Sequence, residues 1–162
     1  MSIGAIEEKV LAFGSDELDH CCLTGGEPLL HEALPSLAKR LVECNVTVLI
    51  ETNGSQDIRA VPPPIVRIMD IKCPGSGECG SLFPENVRSL TPRDEVKFVV
   101  ADRRDFDWAI DFTRRYSLQE RCEVLLSPVW GELDGGVLAG WLLDSGLNIR
   151  FQIQLHKVLS LE

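Results

Sequence analysis

The sequence lacks any apolar run of the roughly 18 residues that a membrane-spanning helix needs. It begins without the basic segment of a secretory signal. Basic residues are few: 16 Lys and Arg stand against 25 Asp and Glu, for a formal charge of -9 at pH 7. Because clustered Lys and Arg bind nucleic acid and anionic membranes, neither is an expected partner. We therefore expect a cytoplasmic globular protein.

The sequence also lacks a CxxC pair, which argues against a zinc ribbon or a thioredoxin-type redox centre. Two of its cysteines are adjacent in an apolar stretch, where core thiols are the favoured interpretation. Another two lie in a Gly- and Pro-rich loop, where metal ligation is the lesser alternative. The six cysteines are Cys21, Cys22, Cys44, Cys73, Cys79 and Cys122.

Repeats, low-complexity tracts and linkers are absent too, so we expect a single domain over residues 1–162. Short β-rich runs alternate along the chain with segments of helical periodicity. The strands are predicted at 20–23, 46–50, 65–71, 95–100, 123–126 and 149–155.

Four helices are predicted from apolar spacing and from helix stop signals. The first is capped by Ser2 and stopped by Gly14, and the third covers 105–116. The second carries Leu30, Leu34, Leu37 and Leu41; the fourth carries Val137, Leu138, Trp141 and Leu142. Three consecutive prolines at 62–64 exclude a helix between the second and third strands. The alternation indicates an α/β fold with a mainly parallel sheet, either open or part of a barrel, because a closed eight-stranded barrel takes about 250 residues.

Three strands carry polar residues on one face only. Glu95 and Lys97 share a face by the period of two, as do Asp70 and Lys72. Gln152, Gln154 and His156 form the third set. Since a parallel strand covered on both faces is nearly all apolar, these faces predict a polar pocket inside a curled sheet. Solvated edge faces, or ion pairs such as Glu95 with Lys97, are the alternative.

Several segments together resemble a known family. The run Leu23-Thr24-Gly25-Gly26-Glu27-Pro28 resembles the TGGEP segment of radical S-adenosylmethionine (SAM) enzymes. Further along come ETNG at 51–54, DIKCP at 70–74, EVKFVV at 95–100 and QLHK at 154–157. Their order and spacing are similar to those of 7-carboxy-7-deazaguanine synthases of the queuosine-precursor pathway. GGEP alone marks only the superfamily, whereas the full series is much more specific.

This resemblance implies a partial (βα) barrel that binds a [4Fe–4S] cluster, SAM and Mg²⁺. Reductive cleavage of SAM then starts the ring contraction of 6-carboxytetrahydropterin to 7-carboxy-7-deazaguanine, a carbon–nitrogen lyase reaction. The cofactor performs the difficult step, and the protein orients and shields it.

The resemblance also implies site residues. Two glycines without Cβ allow backbone carbonyls to approach an ammonium group closely, although a simple strand-to-helix turn is the alternative. The residues implied for the methionine end of SAM are Gly25, Gly26 and Glu27. Those implied for the rest of the SAM site are Glu51, Asp70, Ile71 and Lys72. Ser127 and Pro128 are implied to border the adenosine of SAM. The pterin is assigned to Thr24, Gln154 and His156, and a structural hydrogen bond is an equal alternative for His156. Many relatives have SPK where this chain has Asp70-Ile71-Lys72.

The family's CxxxCxxC cluster loop, normally upstream of TGGEP, is not found anywhere in these residues. The chain therefore resembles an incomplete radical SAM core, inactive as it stands, with no catalytic residue and no metal ligand of its own. A truncation, a misassigned start codon or a natural remnant would each explain it. An unpaired sheet edge is expected at 20–23, and with it self-association, for example as a homodimer. Two other functions stay open: a glycyl-radical type activase, and a non-catalytic module that binds SAM or a nucleotide.

Overall fold

A six-stranded parallel sheet organises the chain. The computed structural model describes residues 2–13 and 19–160. All neighbouring strands are parallel and follow one another in sequence order across the sheet. The sheet is curled and does not close, as expected for part of a barrel. Its strands are β1 (His20–Leu23), β2 (Thr47–Thr52), β3 (Val66–Ile71), β4 (Glu95–Val100), β5 (Glu123–Pro128) and β6 (Arg150–Phe151).

Helices connect most of the strands. The α-helices are α1 (Ile3–Ala12), α2 (Leu34–Glu43), α3 (Arg103–Arg115), α4 (Gly135–Ser145) and α5 (Leu155–Val158). Short 3-10 turns occupy Pro28–Leu30, Ile58–Ala60, Pro74–Ser76, Pro84–Ser89 and Leu118–Glu120. In the part of the chain that the structure describes, no helix combines the length and apolar character needed to cross a membrane.

The hydrophobic core lies on one face of the sheet. Inward residues alternate with outward ones, so that Val96 and Phe98 of β4 are fully buried and lie beside Val124 and Leu126 of β5. Helices α3 and α4 pack on this face and bury side chains such as Phe106 and Leu138. Helix α2 buries Leu37, Ala38 and Leu41 against the β2 end of the sheet. Since the helices cover this face, the opposite face is concave and carries the polar side chains.

Strand β1 lies at one edge of the sheet and pairs only with β2, which confirms the predicted position of the edge. Self-association through this edge stays a prediction. The first helix begins at the predicted cap, where the Ser2 hydroxyl accepts a hydrogen bond from the Ala5 amide. Its predicted stop, Gly14, lies outside the described residues.

The starts of two helices differ from the prediction for physical reasons. Helix α3 begins earlier than expected because the Asp102 carboxylate caps it, accepting from the Asp105 amide at 2.9 Å. The second helix begins at Leu34, since Leu30 ends a separate 3-10 turn and is exposed.

The prediction of a strand over 149–155 was wrong. Only Arg150 and Phe151 pair with β5, and the Gln152 amide adds one more bond to the Leu126 carbonyl. The chain then leaves the sheet and forms α5. The apolar residues of this segment alternate as in a strand, but the segment lies at the sheet edge with a single neighbour. Alternation alone therefore gave too long a strand.

A buried ion pair lies on the core face, where the strand pattern predicts apolar residues. The Arg67 guanidinium donates to both carboxylate oxygens of Asp94, with Nε–Oδ1 at 2.9 Å and Nη2–Oδ2 at 2.5 Å. The amide and hydroxyl of Thr91 also donate to Asp94, and the carbonyls of Ile58 and Ser89 accept from Arg67. Every charged atom thus has a partner, which is the condition under which a buried ion pair is tolerated.

We predict that Arg67→Met lowers the free energy of unfolding by about 3–5 kcal/mol, because it leaves the Asp94 carboxylate buried without its main partner. Urea denaturation measures the change. The control is Lys39→Met, which removes an exposed ion pair with Glu43 at 3.8 Å and is expected to change stability by less than about 0.5 kcal/mol. Equal stabilities of the two variants would contradict the structural role of Arg67.

The same pair predicts a pH dependence. Burial alone raises the pKa of Asp94, but the hydrogen bonds from Arg67 and Thr91 outweigh it and hold that pKa below its ordinary value. The stabilisation is therefore complete above the unfolded-state pKa of about 3.9 and is lost as pH falls through the native pKa. We expect the stability gap between wild type and Asp94→Asn to shrink steadily below about pH 4 in urea titrations. A gap that stays constant down to about pH 2 would contradict this.

Candidate functional site

The loop after β1 is anchored by the buried side chain of Glu27. Its carboxylate accepts from the Thr52 hydroxyl at 2.9 and 3.0 Å, from the Asn53 amide at 2.7 Å and from the Leu29 amide at 3.0 Å. Both oxygens are therefore occupied by the protein itself. Glu27 joins the end of β1 to the end of β2, so its side chain shapes the rim and does not project into the concave face.

The two glycines before Glu27 have backbones that glycine favours. Gly25 has φ +110° and Gly26 has φ +57°, and no atom lies within 4 Å of the position that a Cβ would take at either residue. The backbone of this turn is therefore exposed to open space at the rim. Such a surface allows a ligand to approach the peptide groups closely.

The segment after β2 is held equally firmly. Gly54 has φ +72°, and a Cβ there would lie 2.9 Å from Leu82 Cδ1 and 3.0 Å from Met69 Sδ. The buried Asn86 amide donates to the carbonyls of Gly54 and Gln56, at 2.9 and 2.7 Å. Asn86 also accepts from the Ile58 amide. The ETNG segment is thus a rigid turn, and sequence reasoning did not single out Asn86, whose position in a polar loop carries no periodic signal.

On the concave side, Thr24 and Glu51 meet across β1 and β2. The Thr24 hydroxyl donates to Glu51 Oε2 at 3.3 Å, and both residues are exposed. The structure therefore brings together one residue assigned to the pterin and one assigned to SAM.

Asp70 and Lys72 form an ion pair at the end of β3, with Nζ–Oδ2 at 2.7 Å. The other carboxylate oxygen of Asp70, Oδ1, is buried and has no hydrogen-bond partner among the described residues. Between them Ile71 is buried in the core on the opposite face, so only its backbone belongs to the rim. The loop after this strand lies close to α3, since the Asp105 carboxylate accepts from the Gly75 amide at 2.8 Å.

Two neighbouring cavities open where β3, β4 and β5 end. One, of about 360 Å³, is polar and is lined by Asp70, Lys72 and Lys97 among others. The second, of about 590 Å³, is mainly apolar and is lined by Pro128, Trp130 and Leu133 among others. Gln154 and Glu132 line both cavities. Volumes of this size suit a small-molecule ligand.

The remaining predicted site residues lie in different surroundings. Ser127 is fully buried, and its hydroxyl has no hydrogen-bond partner in the described parts of the chain. Gln154 precedes α5, and His156 is exposed on that helix. Both residues were predicted to lie on one face of a strand, and neither does. Trp130 and Glu132 were not anticipated, because they lie in a loop without periodicity.

Comparison with known proteins identifies the family. The chain is 41% identical over 151 residues to the 7-carboxy-7-deazaguanine synthase of Koribacter versatilis, covering 85% of this chain and 67% of that protein. It is 35% identical over 163 residues to the enzyme of the same name from Chlorobaculum tepidum, covering 98% and 72%. The chain belongs to the 7-carboxy-7-deazaguanine synthase family. No protein-family model matches the sequence.

Solved structures agree with this assignment at the level of the fold. The crystal structure of QueE from Escherichia coli superposes with a TM-score of 0.73 at 21% identity, over 95% of this chain and 64% of that one. SuiB from Streptococcus suis superposes with a TM-score of 0.64 at 12% identity, over 95% and 43%. In both comparisons the present chain matches only part of the longer protein.

The cofactors of radical SAM enzymes can be tested against the described residues. The open Gly25-Gly26 turn offers exposed peptide groups, and the two cavities at the ends of β3, β4 and β5 have volumes that suit a small-molecule ligand such as SAM. Within residues 2–13 and 19–160, by contrast, no three His, Cys, Asp or Glu side chains converge into a metal site. Burial raises the pKa of the Cys73 and Cys122 thiols to about 12, whereas cluster ligands are thiolates. The described residues therefore do not fit an iron–sulfur cluster.

We predict that Glu27→Gln lowers the free energy of unfolding by about 1–3 kcal/mol, because an amide nitrogen replaces an acceptor that now receives two or more hydrogen bonds. Chemical denaturation gives the stability, and hydrogen exchange at the Leu29 and Asn53 amides reports the local loosening. Glu51→Gln is the matched control, since that carboxylate is exposed and accepts one bond. Similar exchange rates in both variants would argue against Glu27 as the anchor of the rim.

Proposed function

We propose that this chain supplies the SAM- and pterin-binding surface of a 7-carboxy-7-deazaguanine synthase, which converts 6-carboxytetrahydropterin to 7-carboxy-7-deazaguanine. The observation that carries the proposal is the meeting of the open glycine turn and the polar concave face at one rim, in a chain of this family. In a complete enzyme of this family, bound SAM would supply the radical chemistry. This chain's residues bind and orient the two ligands and exclude water.

In the proposed arrangement SAM lies along the rim. The peptide groups of Gly25 and Gly26 receive its methionine end, because a cationic amine can approach carbonyls that no Cβ shields. The ribose lies near Asp70 and Lys72, whose partly exposed charged groups offer an acceptor and a donor to its hydroxyls. The adenine enters the apolar cavity beside Pro128 and Trp130, whose surfaces suit a flat ring.

The pterin is proposed to lie deeper on the concave face. Thr24 and Glu51 offer a hydroxyl and a carboxylate, and Glu51 is suited to accept the N–H groups of a pterin ring. Gln154 offers both donors and acceptors from the opposite wall. His156 is proposed to contribute from α5, on which it is exposed.

We propose that the chain as printed does not perform the radical step, since its residues contain no CxxxCxxC and the described part offers no ligand set for a cluster. A non-catalytic SAM-binding module is the second candidate function, and the same observation favours it. Pterin binding distinguishes the two functions, because only the first requires it.

We predict that the chain binds SAM and that Gly25→Ala weakens binding about 10-fold or more. A residue with a Cβ at this positive φ costs about 1–3 kcal/mol, so the turn changes shape. Titration calorimetry with SAM measures the dissociation constant. Gly146→Ala is the matched control, because Gly146 also has positive φ (+66°) and open space but caps the distant end of α4. Equal dissociation constants for the wild type and both variants would show that the glycine turn is not part of the SAM site.

Iron measurement after anaerobic reconstitution with iron and sulfide tests the second half of the proposal. We expect fewer than about one iron per chain, because a complete [4Fe–4S] cluster needs several convergent thiolates. About four irons per chain, with broad charge-transfer absorption, would show that the scattered cysteines hold a cluster and that the chain is complete for radical chemistry.

A further inference from the structure

Most charges on the concave face are paired within the protein. Asp70 is paired with Lys72 at 2.7 Å. Arg150 of β6 reaches Glu95 of β4 at 3.2 Å and Glu123 of β5 at 3.5 Å. The predicted pairing of Glu95 with Lys97 is therefore replaced by one with Arg150, across a separation of 55 residues.

This leaves the Lys97 ammonium without an ion pair or hydrogen bond to any residue that the structure describes. The residue is half-buried and lies in the middle of β4, beside Asp70 of β3 and Leu125 of β5. It lines the polar cavity of about 360 Å³. Its ammonium is not one of the buried unpartnered atoms, so a ligand in this cavity can reach it.

Other unsatisfied polar atoms lie close by on the same face. Asp70 Oδ1 has no partner, and Asp70 is the register neighbour of Lys97. The buried Ser127 hydroxyl, also without a partner, lies opposite Val99, two residues beyond Lys97 on the same face of β4. Buried groups without a partner are rare in folded proteins, and these two, unpartnered among the described residues, lie near Lys97 at the carboxyl ends of adjacent strands.

The carboxylates near Lys97 are those of Asp70, Asp105 and Glu132, which line the same cavity, and of Glu51 on the concave face of β2. Asp105 accepts from the Gly75 amide. Asp70 is already neutralised by Lys72. Glu51 is exposed on β2 and accepts from Thr24. Burial and the charge of Glu51 raise the pKa of the Cys22 thiol on β1, and the charge of Lys97 opposes them.

We propose that Lys97 is the counter-ion for a carboxylate of a bound ligand, an assignment that rests on the proposed function. A carboxylate would form a charge-assisted hydrogen bond with the ammonium that no described residue now supplies. Two ligands of the proposed reaction carry such a group: the pterin substrate and the methionine portion of SAM.

Calorimetry with four probes tests the proposal and distinguishes the two sources. The probes are 6-carboxypterin, pterin without the carboxylate, SAM and decarboxylated SAM. Lys97→Met is expected to weaken binding of one carboxylated probe by about 10- to 100-fold and to leave its carboxylate-free counterpart unchanged. If the affected probe is 6-carboxypterin, Lys97 binds the carboxylate of the pterin; if it is SAM, Lys97 binds the carboxylate of the methionine portion. Lys97→Arg, which keeps the charge, is expected to restore most of the affinity.

Lys39→Met is the matched control, because it removes an exposed lysine on α2 outside both cavities. Lys97→Gln provides a second neutral variant if Lys97→Met does not fold. Unchanged affinity for all four probes in a folded neutral variant overturns the assignment of Lys97 and leaves the proposed function intact. A wild-type chain that binds neither pterin nor SAM overturns the proposed function, and the assignment of Lys97 with it.

Discussion

The constraint on which this structure depends is a parallel sheet covered by helices on one face only. Apolar side chains of the central strands alternate with polar ones, and the apolar set packs under α2, α3 and α4. In the described part of the chain, α2, α3 and α4 bury their apolar side chains on the first face, so the polar side chains of the opposite face are not forced into a dry core. Curling of the sheet then turns that face into a concave surface. The site exists because every second residue of each central strand points away from the core and does not pack in it.

Buried polar groups hold the rim of this surface. Glu27 joins the turn after β1 to the end of β2, and Asn86 holds the next turn. Away from the rim, at the amino-terminal end of β3, Arg67 and Asp94 tie β3 to the segment before β4. The hydrogen bonds of Glu27 and Asn86 make the loops at the rim rigid. A rigid rim positions a ligand more accurately than a flexible one, because less conformational entropy is lost on binding.

The concave face differs from the rim in that several of its polar groups are unsatisfied. Arg150 neutralises Glu95 and Glu123 at the lower end of the strands, whereas Lys97, one oxygen of Asp70 and the Ser127 hydroxyl have no partner among the described residues. Ion pairs thus neutralise the amino-terminal end of this face, and at the carboxyl end the Asp70–Lys72 pair leaves Lys97 as a cation without a partner among the described residues. This division agrees with the location of binding sites at the carboxyl ends of parallel strands.

The sequence by itself determined the fold class, the family and the face on which each central strand residue lies. Strands β1 and β4 were predicted with their observed bounds, since periodicity and turn residues are local signals. It also indicated that GGEP, ETNG and the segment at 70–72 follow strands and meet at one rim.

Only the tertiary structure decided which distant groups become partners. Arg67 pairs with Asp94 in the core, and Glu95 pairs with Arg150 rather than with Lys97. The Glu27 carboxylate accepts hydrogen bonds from other residues of the protein. It also decided that the chain leaves the sheet after Phe151 and carries His156 on a short helix. The physical reason is that period and propensity fix the face of a residue. Its partner depends on strand register and on sheet curvature, which arise from contacts between residues far apart in sequence.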